Sequence, residues 1–184
     1  MVYTIGHSTR SLEAFVNLLR EHAIALVLDV RRFPASRRHP HFELEALAAT
    51  LAGQGIAYRH EPDLGGRRTP RPDSPNTAWR SALFRGYADH MATPTFQAAL
   101  ARLIEDGAAC PTAVLCAEAV PWRCHRQLIA DALVARQAEV CHILGPGRTR
   151  PHTLLPHARV LPGGLVHYPG PPRDQREFFP PGTD

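Results

Sequence analysis

Ala113-Val-Leu-Cys-Ala-Glu-Ala-Val-Pro-Trp-Arg-Cys-His-Arg-Gln-Leu-Ile-Ala-Asp-Ala-Leu133 decides how this chain is read. It opens as a short apolar run, Ala113 to Ala117, the pattern of a buried strand. It closes as a helix with Leu128, Ile129, Ala132 and Leu133 on one stripe. Between the two lie two thiols, a carboxylate, an indole, two guanidiniums and an imidazole. A strand-to-helix junction is where open α/β sheets keep their sites, because helix N-termini present unpaired N–H groups there.

Working outward, the same alternation recurs. Val2 to Ile5 reads as a first strand, followed by the turn Gly6-His7-Ser8-Thr9-Arg10. Leu12, Phe15, Val16 and Leu19 then recur at helical spacing, with Ser11 as N-cap and Glu13 in the first turn. Ile24 to Val30 is nearly continuous apolar sequence, which fits a strand covered on both faces. A basic loop from Arg31 to Phe42 leads to a helix marked by Leu44, Leu47, Ala48 and Leu51, and Ile56 to His60 is a third strand. Residues 61–77, with Gly65-Gly66 and four prolines, read as a long loop. A helix is expected within Trp79 to Met91. Another opens at Thr93-Pro94, buries Phe96, Leu100, Leu103 and Ile104, and stops at Gly107. Glu139 to Leu144 is a fifth strand.

Strands alternating with amphipathic helices predict a three-layer α/β domain over residues 1–144. Its sheet is expected to be mainly parallel, of about five strands, with helices on both faces. Composition shifts after Leu144: nine of the 18 prolines fall in residues 145–184. That stretch reads as a Pro-rich C-terminal extension holding one small hairpin, Ala158 to Leu161 against Leu165 to Tyr168.

The hydrophobic share of 44% and charged share of 21% are those of a globular protein. No run approaches the roughly 18 apolar residues of a membrane span. The N-terminus lacks the basic and apolar regions of an export signal, so the expected location is cytoplasmic, with the four cysteines reduced. All 21 basic residues are arginine. GC-rich coding accounts for that, and arginine also suits bidentate recognition of phosphate or carboxylate.

In a parallel sheet the strand carboxyl ends share one edge. That edge would collect His7, Asp29 with Arg31, His60 with Glu61, and Cys116 with Glu118, while Cys124, His125 and Arg126 open the next helix. Each has a plain reading too. Cys116 is by base rate a small buried hydrophobe, Trp122 a packing anchor, His125 a cap. Glu118 directly after a buried strand would need an ion pair with Arg31, Arg123 or Arg126, or else serves as general base or nucleophile. Cys110 and Cys141 lack reactive neighbours and read as structural. Metal-binding thiols usually come as closer pairs, so the spacing of Cys116, Cys124, His125 and His7 gives a metal site little support, and no metal ligand is assigned. The strand–Cys–loop–Arg–helix order resembles the phosphate loops of cysteine phosphatases and rhodaneses. Here, however, six residues separate Cys116 from Arg123, none of them glycine and one a carboxylate.

Five stretches look like the bacterial domain-of-unknown-function family 488: Tyr3-Thr-Ile-Gly-His-Ser-Thr9, Asp29-Val-Arg-Arg-Phe-Pro34, Leu64-Gly-Gly-Arg-Arg68, Phe84-Arg-Gly-Tyr-Ala-Asp89 and Cys116-Ala-Glu-Ala-Val-Pro-Trp-Arg-Cys-His-Arg126. The resemblance covers about the first 144 residues. It implies a compact α/β domain with a shared site built from those motifs, and no particular reaction. His90-Met91 stands where the family pattern has Tyr-Met.

The leading expectation is therefore an enzyme. Glu118, Cys116, Cys124, His125 and His7 would be its catalytic groups. Arg31, Arg67, Arg123, Arg126 and Trp122 would hold an anionic, nucleotide-like or nucleic-acid substrate. Alternatives are a non-catalytic nucleic-acid module contacting phosphates through Arg32 to Arg38 and Arg67-Arg68-Arg71, and a metal-binding protein. The residues leave the cofactor and the oligomeric state open.

Overall fold

The computed structural model describes residues 1–35 and 38–171. A six-stranded sheet runs in the order β3 (Ala57–His60), β2 (Leu26–Asp29), β4 (Thr112–Cys116), β1 (Val2–Gly6), β5 (Val140–Gly145), β6 (Arg148–Pro151). The first five are mutually parallel, and β6 returns antiparallel along β5. The sheet is thus mixed, with one strand more than the sequence pattern indicates.

Strand β4 is buried at all five positions, as its unbroken apolar sequence requires of a central parallel strand. Its side chains alternate between two clusters. Ala113 and Leu115 join Phe15 and Leu19 of α1 (Leu12–Glu21) and Leu47 and Leu51 of α2 (Leu44–Ala52). Val114 and Cys116 join Tyr87 of α3 (Ala82–Met91), Phe96 and Leu100 of α4 (Pro94–Ala109), and Leu128 and Leu133 of α5 (Arg126–Val134).

The helix starts follow the expected caps. Ser11 accepts from the Ala14 N–H, and Thr93 from the Phe96 N–H ahead of Pro94. Gly107 does not end α4, which continues to Ala109. The glycine lets Val2 pack against the helix, since a Cβ there would lie 2.4 Å from Val2 Cγ2.

One carboxylate of α3 gathers three groups of residues 61–77. Buried Asp89 accepts from Ser74 Oγ (2.5 Å), Asn76 Nδ2 (2.8 Å) and the Arg71 N–H (2.8 Å). Past β6, β7 (Arg159–Leu161) and β8 (Leu165–His167) form the expected hairpin, turning through Gly163 and Gly164 at positive φ. Tyr168 follows it into the core and is fully buried. No helix among the described residues is long and apolar enough to cross a membrane.

Candidate active site

Strands β1, β2 and β4 run side by side, so their carboxyl ends deliver His7, Asp29 with Arg31, and Cys116 to one edge. A cleft of about 330 Å³ opens there. Its lining includes His7, Arg31, Arg67, Cys116, Glu118, Arg123, Cys124 and His125, which is most of the expected set.

The turn after β4 is closed by contact with β1. A Cβ on Gly6 would lie 1.7 Å from the Glu118 carbonyl oxygen, so only glycine fits. Arg126 Nη2 donates to that same carbonyl at 2.6 Å. Arg126 is therefore 1% exposed and does not line the cleft. It holds the loop from inside, away from the cleft where a substrate-binding role was expected. Trp122 is 52% exposed and also lies outside the cleft. Glu118 is exposed, because the chain turns outward at Ala117, and its carboxylate joins no ion pair among the described residues. Glu118 therefore does not follow its plain reading as an ion-pair partner.

The buried, paired carboxylate is Asp29. Arg31 grips it with Nε (2.9 Å to Oδ1) and Nη2 (2.5 Å to Oδ2), and Tyr58 Oη donates to Oδ2 at 2.7 Å. Burial, then the charge of Asp29, raises the Tyr58 phenol above its ordinary value, so it stays a donor. The pair leaves Arg31 Nη1 facing His7 Nε2 at 3.4 Å. His7 Nδ1–H donates to the Ser8 carbonyl at 2.9 Å. Burial above all, helped by Arg31, holds this imidazole down at about 4. His7 is therefore neutral at pH 7, with Nε2 as a lone-pair acceptor. It stacks on Phe42 at 4.3 Å between ring centroids.

Cys116, Cys124 and His125 form the cleft floor. His125 Nε2 lies 3.3 Å from the Val30 carbonyl, an acceptor, so that nitrogen carries the proton. Nδ1 then faces Cys124 Sγ at 3.6 Å and Cys116 Sγ at 3.9 Å. The three atoms all lie within 4.8 Å of one another. The spacing along the chain gave this set little support, yet the β4-to-α5 return brings Cys116 to Cys124 and His125; His7 is not part of the group. Burial opposes ionisation of Cys124. The Cys116 hydrogen bond and the Arg126 charge act against burial, and the Cys124 thiol lies well below its ordinary value. Cys116 is pushed well up, first by its hydrogen bond to Cys124 and then by burial. Cys110 and Cys141 lie half-buried outside the cluster.

Several lining residues carried no individual signal. Tyr87 donates to the Leu64 carbonyl (2.7 Å) and packs against His125 at 4.9 Å. Phe33 and Leu83, each 63% exposed, give the rim an apolar surface. Arg67 sits with φ at 58°, a strained backbone for a non-glycine residue, its guanidinium 6.0 Å from the Phe33 ring. Other expected groups are used internally. Arg68 donates to the Gly65 and Pro62 carbonyls, Arg71 pairs with Asp73, Glu61 pairs with Arg102, and His60 hydrogen-bonds the Arg31 carbonyl. Arg37 lies outside the described residues.

Fold and cleft together define an α/β protein with a mainly parallel sheet and a Cys-Cys-His cluster at its carboxyl edge. Residues 11–133 match the model of the family described as Domain of unknown function DUF488, and the chain belongs to that family. The motif at residues 3–9 lies upstream of the matched span. Neither the curated proteins nor the solved structures yielded a match.

Proposed function

We propose that the protein is a cytoplasmic enzyme that binds an anionic substrate in this cleft and acts on it with the groups around Cys124. One observation carries the reading: four arginines, together with His7, Cys116, Glu118, Cys124 and His125, line a single cavity. Arg31, held by Asp29, is preorganised, and exposed Arg67 and Arg123 add positive charge. Phe33 and Leu83 suit a flat or apolar portion, which favours a nucleotide-like molecule or a nucleic-acid end over a bare inorganic anion. Neutral His7 and solvent-facing Glu118 supply acid–base capacity from two sides. The alternation of buried side chains along β4 supports a three-layer reading of the fold, with helices on both faces.

The test is turnover of a panel of phosphorylated metabolites and oligonucleotides by the wild type and by Glu118→Gln and Cys116→Ser. Loss of at least tenfold in kcat in either variant is expected, since general acid–base catalysis contributes roughly 10²–10⁴. Unchanged turnover in both overturns the proposal. So does salt-sensitive oligonucleotide binding without turnover of any compound, which would make the protein a binding module.

A further inference from the structure

We infer that Cys116 Sγ, Cys124 Sγ and His125 Nδ1 are three ligands of a zinc(II) site whose fourth position opens on the cleft. This deepens the proposed function, and only the role of the fourth position rests on that reading.

The donor set comes first. Two sulfurs and one imidazole nitrogen suit a borderline-soft divalent ion. Tetrahedral zinc with Zn–S near 2.3 Å and Zn–N near 2.05 Å places sulfur and nitrogen about 3.6 Å apart. The Cys124 sulfur lies at that spacing, 3.6 Å from Nδ1, and the Cys116 sulfur slightly beyond it at 3.9 Å. A cluster of thiols packed only as small hydrophobes has no need to aim an imidazole lone pair at both sulfurs.

Orientation is the second observation. The Val30 carbonyl takes the Nε2 proton, which fixes the tautomer and turns Nδ1 inward. Metal-bound histidines are commonly held this way by a carbonyl or carboxylate on the far nitrogen. Gly66 keeps the space beside Nδ1 open, since a Cβ there would lie 2.9 Å from that atom.

The third is access and charge. Protein supplies three ligands, and all three residues line the cleft. Three protein ligands with one open position is the pattern of catalytic zinc sites, whereas structural sites close all four. Two thiolates cancel the ion's charge. Arg126, buried with no carboxylate partner among the described residues, and the cleft arginines leave the surroundings positive. The open position would thus take water or an anionic substrate oxygen.

The experiment is elemental analysis of full-length protein purified with reductant and without chelator, followed by Co²⁺ titration of the stripped protein. One zinc per chain is expected, with thiolate-to-cobalt charge-transfer absorption and tetrahedral d–d bands. Cys124→Ser and His125→Ala should fall below about 0.1 metal per chain, while Cys141→Ser stays at one. Circular dichroism checks that each variant is folded. Wild-type protein without stoichiometric zinc and without a tetrahedral cobalt spectrum overturns the inference, whatever the variants do. Folded variants that keep a full metal complement overturn it too. Metal-free protein that still turns over an anionic substrate, and loses this in Cys116→Ser, would sink the zinc site and leave the proposed enzyme standing. Zinc-loaded protein without any turnover would do the reverse.

Discussion

In the cleft, Cys116 and Cys124 face one histidine whose far nitrogen meets the Val30 backbone carbonyl. At β5 a second histidine-bearing network is closed on every side. Thr4 Oγ1 lies 2.7 Å from His142 Nδ1, His142 Nε2 lies 3.0 Å from His152 Nδ1, and His152 Nε2 lies 2.8 Å from Asp131 Oδ1. Tyr168 Oη and the Leu155 N–H also donate to Asp131, at 2.8 and 3.1 Å. With both histidines neutral, every donor can run towards Asp131. A chain of this kind ties β1, β5, α5 and the segment after β6 together and keeps no lone pair for a ligand. The cleft group has the opposite character: acceptor atoms gathered beside open space, with cations around them. Saturation marks a network as architecture, and unspent valence marks one as a site.

This contrast is broken most forcefully at Asp131. Asp131→Ala strands two buried side-chain donors and a backbone N–H, and should cost about 4 kcal/mol by urea denaturation. A loss under 1 kcal/mol would show that water replaces the carboxylate and that the network is not closed.

Acid should come next. Burial first, then His152 and Arg126, lowers His142 from 6.5 to about 3. The unfolded chain then binds the extra proton throughout that interval, so stability is full above pH 6.5 and is lost as pH falls towards 3. Between pH 7.5 and 4.5 this single group removes about 2.5 kcal/mol. His142→Gln should flatten that part of the stability curve, and an unchanged slope would place the pH sensitivity elsewhere. His7, also lowered, adds in the same direction.

The smallest effect sharpens the cleft side. Tyr58→Phe removes one hydrogen bond from Asp29 and should cost about 1 kcal/mol of stability. Arg31 would be looser as a result, and anion affinity should drop about threefold. An affinity change without a stability change would mean that Tyr58 meets the ligand itself.

Legibility in the sequence followed how local each cause is. Ser11, Thr93-Pro94 and the apolar run of β4 act through neighbours one turn or one strand away, so their elements are readable. Strand β6, Arg148–Pro151, is exposed throughout and has no apolar alternation; only backbone pairing with β5 makes it a strand. The topology argument brought His7, Arg31, Cys116, Glu118, Cys124 and His125 to one edge, because parallel strands end together. It could not say which way each side chain turns. Trp122 and Glu118 point to solvent and Arg126 inward because Gly6 and the Glu118 carbonyl set the path of the loop. Asp131 lies between two alanines in α5, and its partners arrive from residues 152, 155 and 168, too distant for any pattern to show.

The most direct test of the central claim is thermal unfolding of the wild type and of the Arg67→Gln, Arg123→Gln double variant against a panel of phosphorylated ligands. Both arginines are exposed, so the variant should fold. At a hundred times its Kd a true ligand stabilises by about 2.7 kcal/mol. At least one compound should raise the wild-type Tm accordingly, with most of that rise lost in the variant. A panel that shifts nothing, or a shift that survives both substitutions, would contradict the placement of the working site in this cleft.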